Sequence, residues 1–298
     1  MNRVPSEAAP KVEPAEAVAA TNRHYTLPPP VFAAFLGRRM KYTCGLYGPG
    51  VGSLDEAQEA KLRMIASLLG VRGGERVLDI GCGWGALALF LAQEYDCHVT
   101  AVAPAPAQTA HLRAAVERLG LADRVEVRDA SVEELEPDGM PFDAVAMVGV
   151  IEHMPDHAAA LRTAARLLRR GGPLYLSASC FRSHATRHEF ASRPGSRHVT
   201  EGIFGYAVMR PVSVLIAGLE DAGLSMTTLT DLTGHYHRTI EEWLRRAELH
   251  RAEIDREHPG LTDDLVRYFR VTNAGWGYTT KHYALTAVRS RMGRTVLA

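Results

Sequence analysis

Between residues 76 and 180 the apolar positions fall into two alternating rhythms. Short apolar runs, Val77-Leu78-Asp79-Ile80, His98 to Val102, Val125-Glu126-Val127, Ala144 to Val148 and Leu174 to Ser177, are separated by longer amphipathic segments. Apolar runs this short mark strands covered on both faces, and the amphipathic segments mark the helices that cover them. Gly85 to Tyr95, Pro106 to Leu119 and His157 to Arg169 are the predicted helices, the last stopped by Gly171-Gly172 in the C-cap position. The pattern predicts an α/β fold built on a doubly wound, mainly parallel sheet.

Outside this core the rhythm changes. Residues 1 to 22 are Ala, Pro and Glu with almost no large apolar residue, which predicts a mobile tail. Residues 23–75 read as a flap and a helix. Pro28-Pro29-Pro30 and the aromatic, glycine-rich Tyr42-Thr43-Cys44-Gly45-Leu46-Tyr47-Gly48 form the flap; Ser53 and Glu56 then make a capping box that opens a helix carrying Leu54, Ala57, Leu62, Ile65 and Leu69. After the 76–180 core, residues 181–210 are rich in Arg, His, Ser, Pro and Gly and too long for an ordinary connection, so a substrate-covering insertion is expected. A helix from Val212 to Ala222, a strand from Met226 to Leu232, a helix from Arg238 to about Glu257 and a last helix and strand through Val288 follow, the segment 238–298 closing the chain.

Composition narrows the function classes. The 298 residues carry 34 Lys+Arg against 34 Asp+Glu, so no net field draws the chain to nucleic acid or anionic membrane. Lysine occurs only at positions 11, 41, 61 and 281. The cysteines Cys44, Cys82, Cys97 and Cys180 have no metal or disulfide spacing, no apolar run reaches the length of a membrane span, and prolines and glutamates interrupt any signal-like start. A cytoplasmic protein with no integral membrane association is the expectation. His153 with His157 and His184 with His188 have helical spacing but no third ligand, so no metal is expected.

Chemistry concentrates at Gly81-Cys82-Gly83-Trp84-Gly85, where a buried strand containing Asp79 runs through a glycine-rich turn into a helix. Gly81 and Gly83 allow a close backbone approach to a ligand, and Gly85 lets the helix pack near the strand. Glycine spacing alone is weak; the strand before it, the helix after it and Asp79 make the signal strong.

In form this motif resembles the first motif of S-adenosylmethionine-dependent methyltransferases. With Tyr42-Thr43-Cys44, Gln108, Gly149-Val150-Ile151-Glu152-His153-Met154 and His235-Tyr236-x-x-Thr239 with Trp243, the chain from about 40 to 288 is similar to the cyclopropane-fatty-acid-synthase and mycolic-acid-cyclopropane-synthase family. That family also includes alkaloid N-methyltransferases and small-metabolite C-methyltransferases. The resemblance implies a class I methyltransferase fold with S-adenosyl-L-methionine as cofactor. Tyr42 and Thr43 would then close over the cofactor, Trp84 would lie close to it and Gln108 would contact the ribose. Asp79 reads as reaching the cofactor's ammonium or organising the loop, Asp129-Ala130-Ser131 as touching adenine, and Val148 as completing the set.

In the cyclopropane synthases a bicarbonate acts as general base, and its positions map to Cys44, Glu152, Ser177 and Tyr236. Ser177 stands where the family has a histidine, which removes an anion ligand. Glu152, His153 and Tyr236 are the candidate catalytic residues; Cys44, Ser177, Trp276 and Tyr278 are candidates for the acceptor site. Each has a plainer reading: Glu152-His153 as a cap for the helix near Asp156, Cys44 as a small buried hydrophobe, and Tyr236, Trp276 and Tyr278 as packing aromatics.

The expected activity is methyl transfer to carbon of a small, indole-like metabolite. Acyl-chain cyclopropanation or methylation, small-amine N-methylation, and a cofactor-binding protein that transfers no methyl group remain as alternatives. A small-molecule acceptor is the expected partner, and the N-terminal flap leaves room for a homodimer by segment exchange.

Overall fold

In a computed structural model of the chain, residues 12–137 and 139–290 are described. The chain opens with α1 (Pro14–His24), α2 (Pro29–Leu36) and α3 (Leu54–Leu68). It then alternates through β1 (Arg76–Ile80), α4 (Ala86–Tyr95), β2 (His98–Ala103), α5 (Pro106–Arg118), β3 (Val125–Asp129), β4 (Ala144–Val148), α6 (His157–Leu167) and β5 (Pro173–Phe181). The second half holds α7 (His184–Phe190), α8 (Pro194–Arg197), β6 (Arg210–Pro211), α9 (Val212–Asp221), β7 (Leu224–Asp231), α10 (Thr233–Leu249), α11 (Arg251–Glu257), α12 (Leu261–Gly275) and β8 (Thr280–Arg289).

The strands form one sheet in the order β3-β2-β1-β4-β5-β8-β7, with β6 paired to the end of β5. The first five run parallel, whereas β8 lies antiparallel between β5 and β7. Strand order reverses between β1 and β4, so the crevice at their carboxyl ends is the place where such sheets bind ligands. Apolar residues fill both faces of the sheet: Leu62, Ile65, Leu87, Phe90 and Leu112 on one, Ile151, Leu161, Leu168, Leu215 and Leu219 on the other. A third cluster, Phe32, Phe35, Trp243, Ile254, Leu265 and Phe269, joins α2 to α10, α11 and α12 as a helical lobe over the carboxyl ends.

Three expectations are corrected, for the tail, the insertion and the long helix, while the expected N-terminal helical flap is present. The tail expected to be mobile over 1–22 is helical from Pro14, while residues 1–11 lie outside the described residues. Alanine-rich sequence favours a helix without a large apolar face, and α1 docks through Ala17 and Thr21, with Asn22 Nδ2 donating to Pro104 O at 2.9 Å. The flap contains α2, which opens at Pro29, where a missing N–H costs nothing. It is also pinned, since Gln58 Nε2 donates to Leu36 O at 2.6 Å and Gly45 N to Thr239 Oγ1 at 2.9 Å. The irregular insertion is largely helical through α7, α8 and a wide turn over His198–Ile203. Finally, the long helix expected from Arg238 begins at Thr233 and breaks at His250.

Other boundaries follow the expectation closely, including the capping box of Ser53 and Glu56. Among the described residues no helix is long and apolar enough to cross a membrane.

Candidate active site

The loop after β1 turns sharply because Gly81 N and Cys82 N both donate to Val102 O, at 2.8 and 3.0 Å. Gly81 has a φ of 72° and a Cβ there would strike the Val150 side chain, so only glycine lets β1 and the turn after β4 approach this closely. Gly83 differs: its nearest neighbour for a Cβ is Gln108 Nε2 at 3.9 Å, so its open side faces a crevice.

Two adjoining narrow spaces, about 100 and 40 Å³, make up that crevice and share Tyr25, Gly81, Gly83, Gln108 and Gly149. Ala103, Ala130 and Ser131 line the larger, roofed by Val18, Thr21 and Asn22 of α1. Lys41, Tyr42, Thr43, Trp84 and Val148 line the smaller. Asp129 is not brought in: Arg113 and Thr109 hold its carboxylate at the half-exposed edge of β3.

Two charged residues stand at or beside the smaller end, Lys41 in its lining and Asp79 near the end of β1. Asp79 is 1% exposed and its Oδ2 has no hydrogen-bond partner. Burial pushes its carboxyl up to about 6, with Lys41 pulling the other way. Lys41 is 6% exposed, and burial brings its ammonium down to about 8, with Asp79 opposing. Gly81, Gly83, Gln108 and an orphaned buried carboxylate therefore suit a ligand with a nucleoside at one end and a cation at the other.

Tyr25, Tyr42, Gly149 and His153 border both this crevice and a larger chamber of about 530 Å³ under the helical lobe. Aromatic rings dominate its wall: Tyr42, Phe204, Tyr236, Tyr268 and Trp276. Tyr236 stacks on Trp276 with centroids 4.7 Å apart and meets the edge of His282 at 4.7 Å. Burial holds the Tyr236 hydroxyl well above its ordinary value, so it stays protonated.

Glu152 is the one acid among the described lining residues. Its Oε1 accepts from Ser179 N at 2.5 Å, while Oε2 is buried without a partner. Helix α6 is capped by Asp156, which accepts from Ala159 N at 2.8 Å, so Glu152 is not the cap. Burial raises the Glu152 carboxyl, against the pull of the Ser179 amide and His153. His153 Nδ1 lies 3.0 Å from Tyr206 O, and because a carbonyl only accepts, Nδ1 carries the hydrogen of that contact.

Two expected residues lie behind the chamber wall instead of in it. Cys44 and Ser177 are fully buried. Lys61 Nζ, also fully buried, reaches Thr43 Oγ1 at 3.1 Å and Cys44 Sγ at 3.4 Å, and Ser177 Oγ has no partner. Trp276 lines the chamber, but Tyr278 does not: it is 62% exposed, with its ring against Phe190. The bulge of chain after α12 turns it outward.

Sequence reasoning missed His282, Lys41 and Lys61. On β8, His282 pairs with Ser179 and its neighbour on the same face, Ala284, pairs with Ser177. Its Nδ1 lies 3.3 Å from Ser179 Oγ, its Nε2 is unpartnered, and burial holds it well below its ordinary value and hence neutral. An imidazole thus stands next to the position that Ser177 leaves small. A polar residue at an inward position of the apolar run 282–288 was a visible signal, but only strand register shows what it meets. For the lysines the signal was rarity, and for Lys61 also its place on the buried stripe of α3.

Comparison with known proteins agrees with this architecture. The mycolic acid cyclopropane synthetase family pattern matches residues 12–283. Over 264 residues the chain is 29% identical to a probable fatty acid methyltransferase of Pseudomonas putida, covering 87% of this chain and 65% of that protein. It is also 29% identical over 234 residues to a probable (S)-tetrahydroprotoberberine N-methyltransferase of Papaver bracteatum, covering 77% and 64%. The chain thus spans just under two thirds of the length of these relatives. The solved cyclopropane synthase MmaA2 of Mycobacterium tuberculosis superposes with a TM-score of 0.83 over 91% of this chain and 98% of that one, at 22% identity, which shows the shared fold. By its sequence pattern the chain belongs to the mycolic acid cyclopropane synthetase family of S-adenosylmethionine-dependent enzymes.

Proposed function

We propose that the chain transfers a methyl group from S-adenosylmethionine to a compact, partly aromatic acceptor, at an electron-rich ring carbon of indole type. The observation that carries this reading is the chamber itself. An aromatic-walled space of about 530 Å³ with one buried carboxylate opens onto the nucleoside crevice between Tyr25, Tyr42, Gly149 and His153. Bound S-adenosylmethionine supplies a methyl group already activated by its sulfonium, so the protein has to align the acceptor and exclude water.

The family resemblance, with the placement of the side chains in support, suggests the residue roles. Gly81 and Gly83 admit the cofactor, Gln108 meets its ribose and Asp79 its ammonium. The stacked pair Tyr236–Trp276 on one side and Tyr42 elsewhere on the wall offer ring faces to a flat acceptor. A ring carbon that gains a methyl group leaves the ring cationic, and the free Oε2 of Glu152 faces that charge across an aromatic wall that also favours cations. The ring then loses a proton, for which His153 and the neutral imidazole of His282 are the nearby candidate acceptors.

A second reading, N-methylation of a ring amine, draws support from the Papaver relative and from the same carboxylate, which would hold an ammonium product equally well. Transfer to unsaturated acyl chains draws support from the Pseudomonas relative.

Labelled methyl transfer to 3-alkylindoles, tetrahydroisoquinolines and vesicles of unsaturated phospholipid separates the three. Label in the indole ring supports the first reading. Label confined to the amine or to vesicles replaces it with the second or third, and none in any acceptor favours a cofactor-binding protein without transfer.

A further inference from the structure

Only 4 of the 34 Lys and Arg residues are lysine, and two of them, Lys41 and Lys61, are buried in the wall of the site. Lys61 has neighbours for its ammonium in Thr43 and Cys44. Lys41 is different: among the described residues its ammonium makes neither a hydrogen bond nor an ion pair, although it lies within the electrostatic reach of Asp79. Asp79 has one carboxylate oxygen, Oδ2, buried and unpartnered. Among the described residues no ion pair joins the two, although each acts on the other electrostatically. A buried charge without a hydrogen-bond partner is costly, and a pair left open in this way is stabilised only by something placed between or beside them.

Lys41 lines the smaller end of the crevice beside Tyr42, Thr43, Gly81, Cys82 and Gly83, and Asp79 lies two residues before Gly81 on β1. An α-amino acid presents an ammonium and a carboxylate a few ångströms apart, the complement of an aspartate and a lysine. We propose that Lys41 binds the carboxylate of the cofactor's amino-acid end while Asp79 takes its ammonium, so that this chain reads the whole zwitterion with a matched pair of buried charges. The inference rests on the cofactor reading above. It assigns Lys41 a binding role and explains why a chain otherwise furnished with arginine keeps the slimmer cation where the flap crosses the glycine loop: a guanidinium needs more donor partners and more room.

The test compares three probes by calorimetry: S-adenosylhomocysteine, its decarboxylated analogue, which keeps the ammonium, and 5′-methylthioadenosine, which lacks the whole amino-acid end. The wild type should prefer S-adenosylhomocysteine over the decarboxylated analogue by about ten- to a hundredfold, the value of a charge-assisted contact. Lys41→Met and Lys41→Gln should reduce that preference to within about threefold, with the affinities for the other two probes unchanged. A preference that survives both substitutions overturns the proposal, as does an equal loss for all three probes, which is what a purely structural lysine would give. If the wild type binds none of the three, the cofactor reading fails, and this inference with it.

A measurement on the wild type alone covers the case in which the variants do not fold. The groups facing Lys41 are Asp79 from β1, Cys82 from the glycine loop, Cys44 from its own segment and Lys61 from α3. With its ammonium at about 8 in the free protein, a carboxylate arriving beside it raises that value. Calorimetry at pH 8 in two buffers should therefore show uptake of roughly half a proton with S-adenosylhomocysteine and none with the decarboxylated analogue. Equal proton uptake for both overturns the proposal.

Discussion

At the scale of single residues, Glu152 and Asp79 are both buried carboxyls with one oxygen lacking a partner, but they face different ligands and their substitutions separate. Glu152 lines the larger chamber and not the crevice, and its Oε2 is buried without a partner. Glu152→Gln should lower the transfer rate by about 10²- to 10³-fold, the scale found for removing one electrostatic stabiliser of a transition state. Calorimetric affinity for S-adenosylhomocysteine should stay within about twofold of wild type, since only a contact made in the transition state is lost.

Asp79 should show a trade between stability and binding. Its folded value of about 6 lies above its unfolded value of 3.8, so the fold favours the protonated acid. Its contribution to stability is complete below pH 3.8 and is lost as the pH rises through 6. Asp79→Asn, which mimics the protonated acid, should therefore raise stability at pH 7.5 by about 2–3 kcal/mol. The gain should shrink as the pH falls toward 4, and cofactor affinity should drop. Urea denaturation at the two pH values, paired with calorimetry, checks both halves; an unchanged or lowered stability at pH 7.5 would count against the buried, unpartnered geometry of Asp79.

At the scale of elements, the helical lobe is what turns an open crevice into a chamber. Trp243 of α10 is fully buried and its ring touches Phe35 of α2, Phe269 of α12, and Tyr42 and Tyr236 of the chamber wall. Trp243→Ala should cost about 3–5 kcal/mol, the usual result of hollowing an aromatic core. Because Tyr42 and Tyr236 lose their backing, acceptor KM should rise more than the cofactor dissociation constant.

The elements also show where sequence stops being informative. Strands β1 to β5 and helices α3 to α6 were legible because apolar runs and amphipathic periods are local signals. Helix α1 and the bounds of α2 within the helical flap were not: Pro14 and Pro29 each open a helix, where a missing N–H costs nothing. The start of α10 at Thr233 was hidden because its first turn carries Gly234 and His235, neither a helix signal.

For the whole molecule, the crevice after β1 was readable from one contiguous motif, since Gly81, Gly83 and Trp84, which line it, lie within four positions. The acceptor half was not, because it assembles from β4, β5, α10, α12 and β8. His282 reaches it only through antiparallel pairing with β5 across more than a hundred residues of sequence, and Tyr278 misses it by a local turn. The flap, the glycine loop and α1 meet around the crevice, so ligand binding is linked to the stability of the whole chain.

That linkage makes one titration decisive for the nucleoside crevice on which the whole reading depends. Calorimetry with S-adenosylhomocysteine should show a single site per chain in the wild type. In Gly83→Leu, whose side chain enters the crevice where nothing blocks it in the free protein, binding should disappear although cooperative unfolding is kept. Absence of binding in the wild type, or full binding in Gly83→Leu, would contradict the assignment of the Gly81–Gly85 loop as the cofactor site.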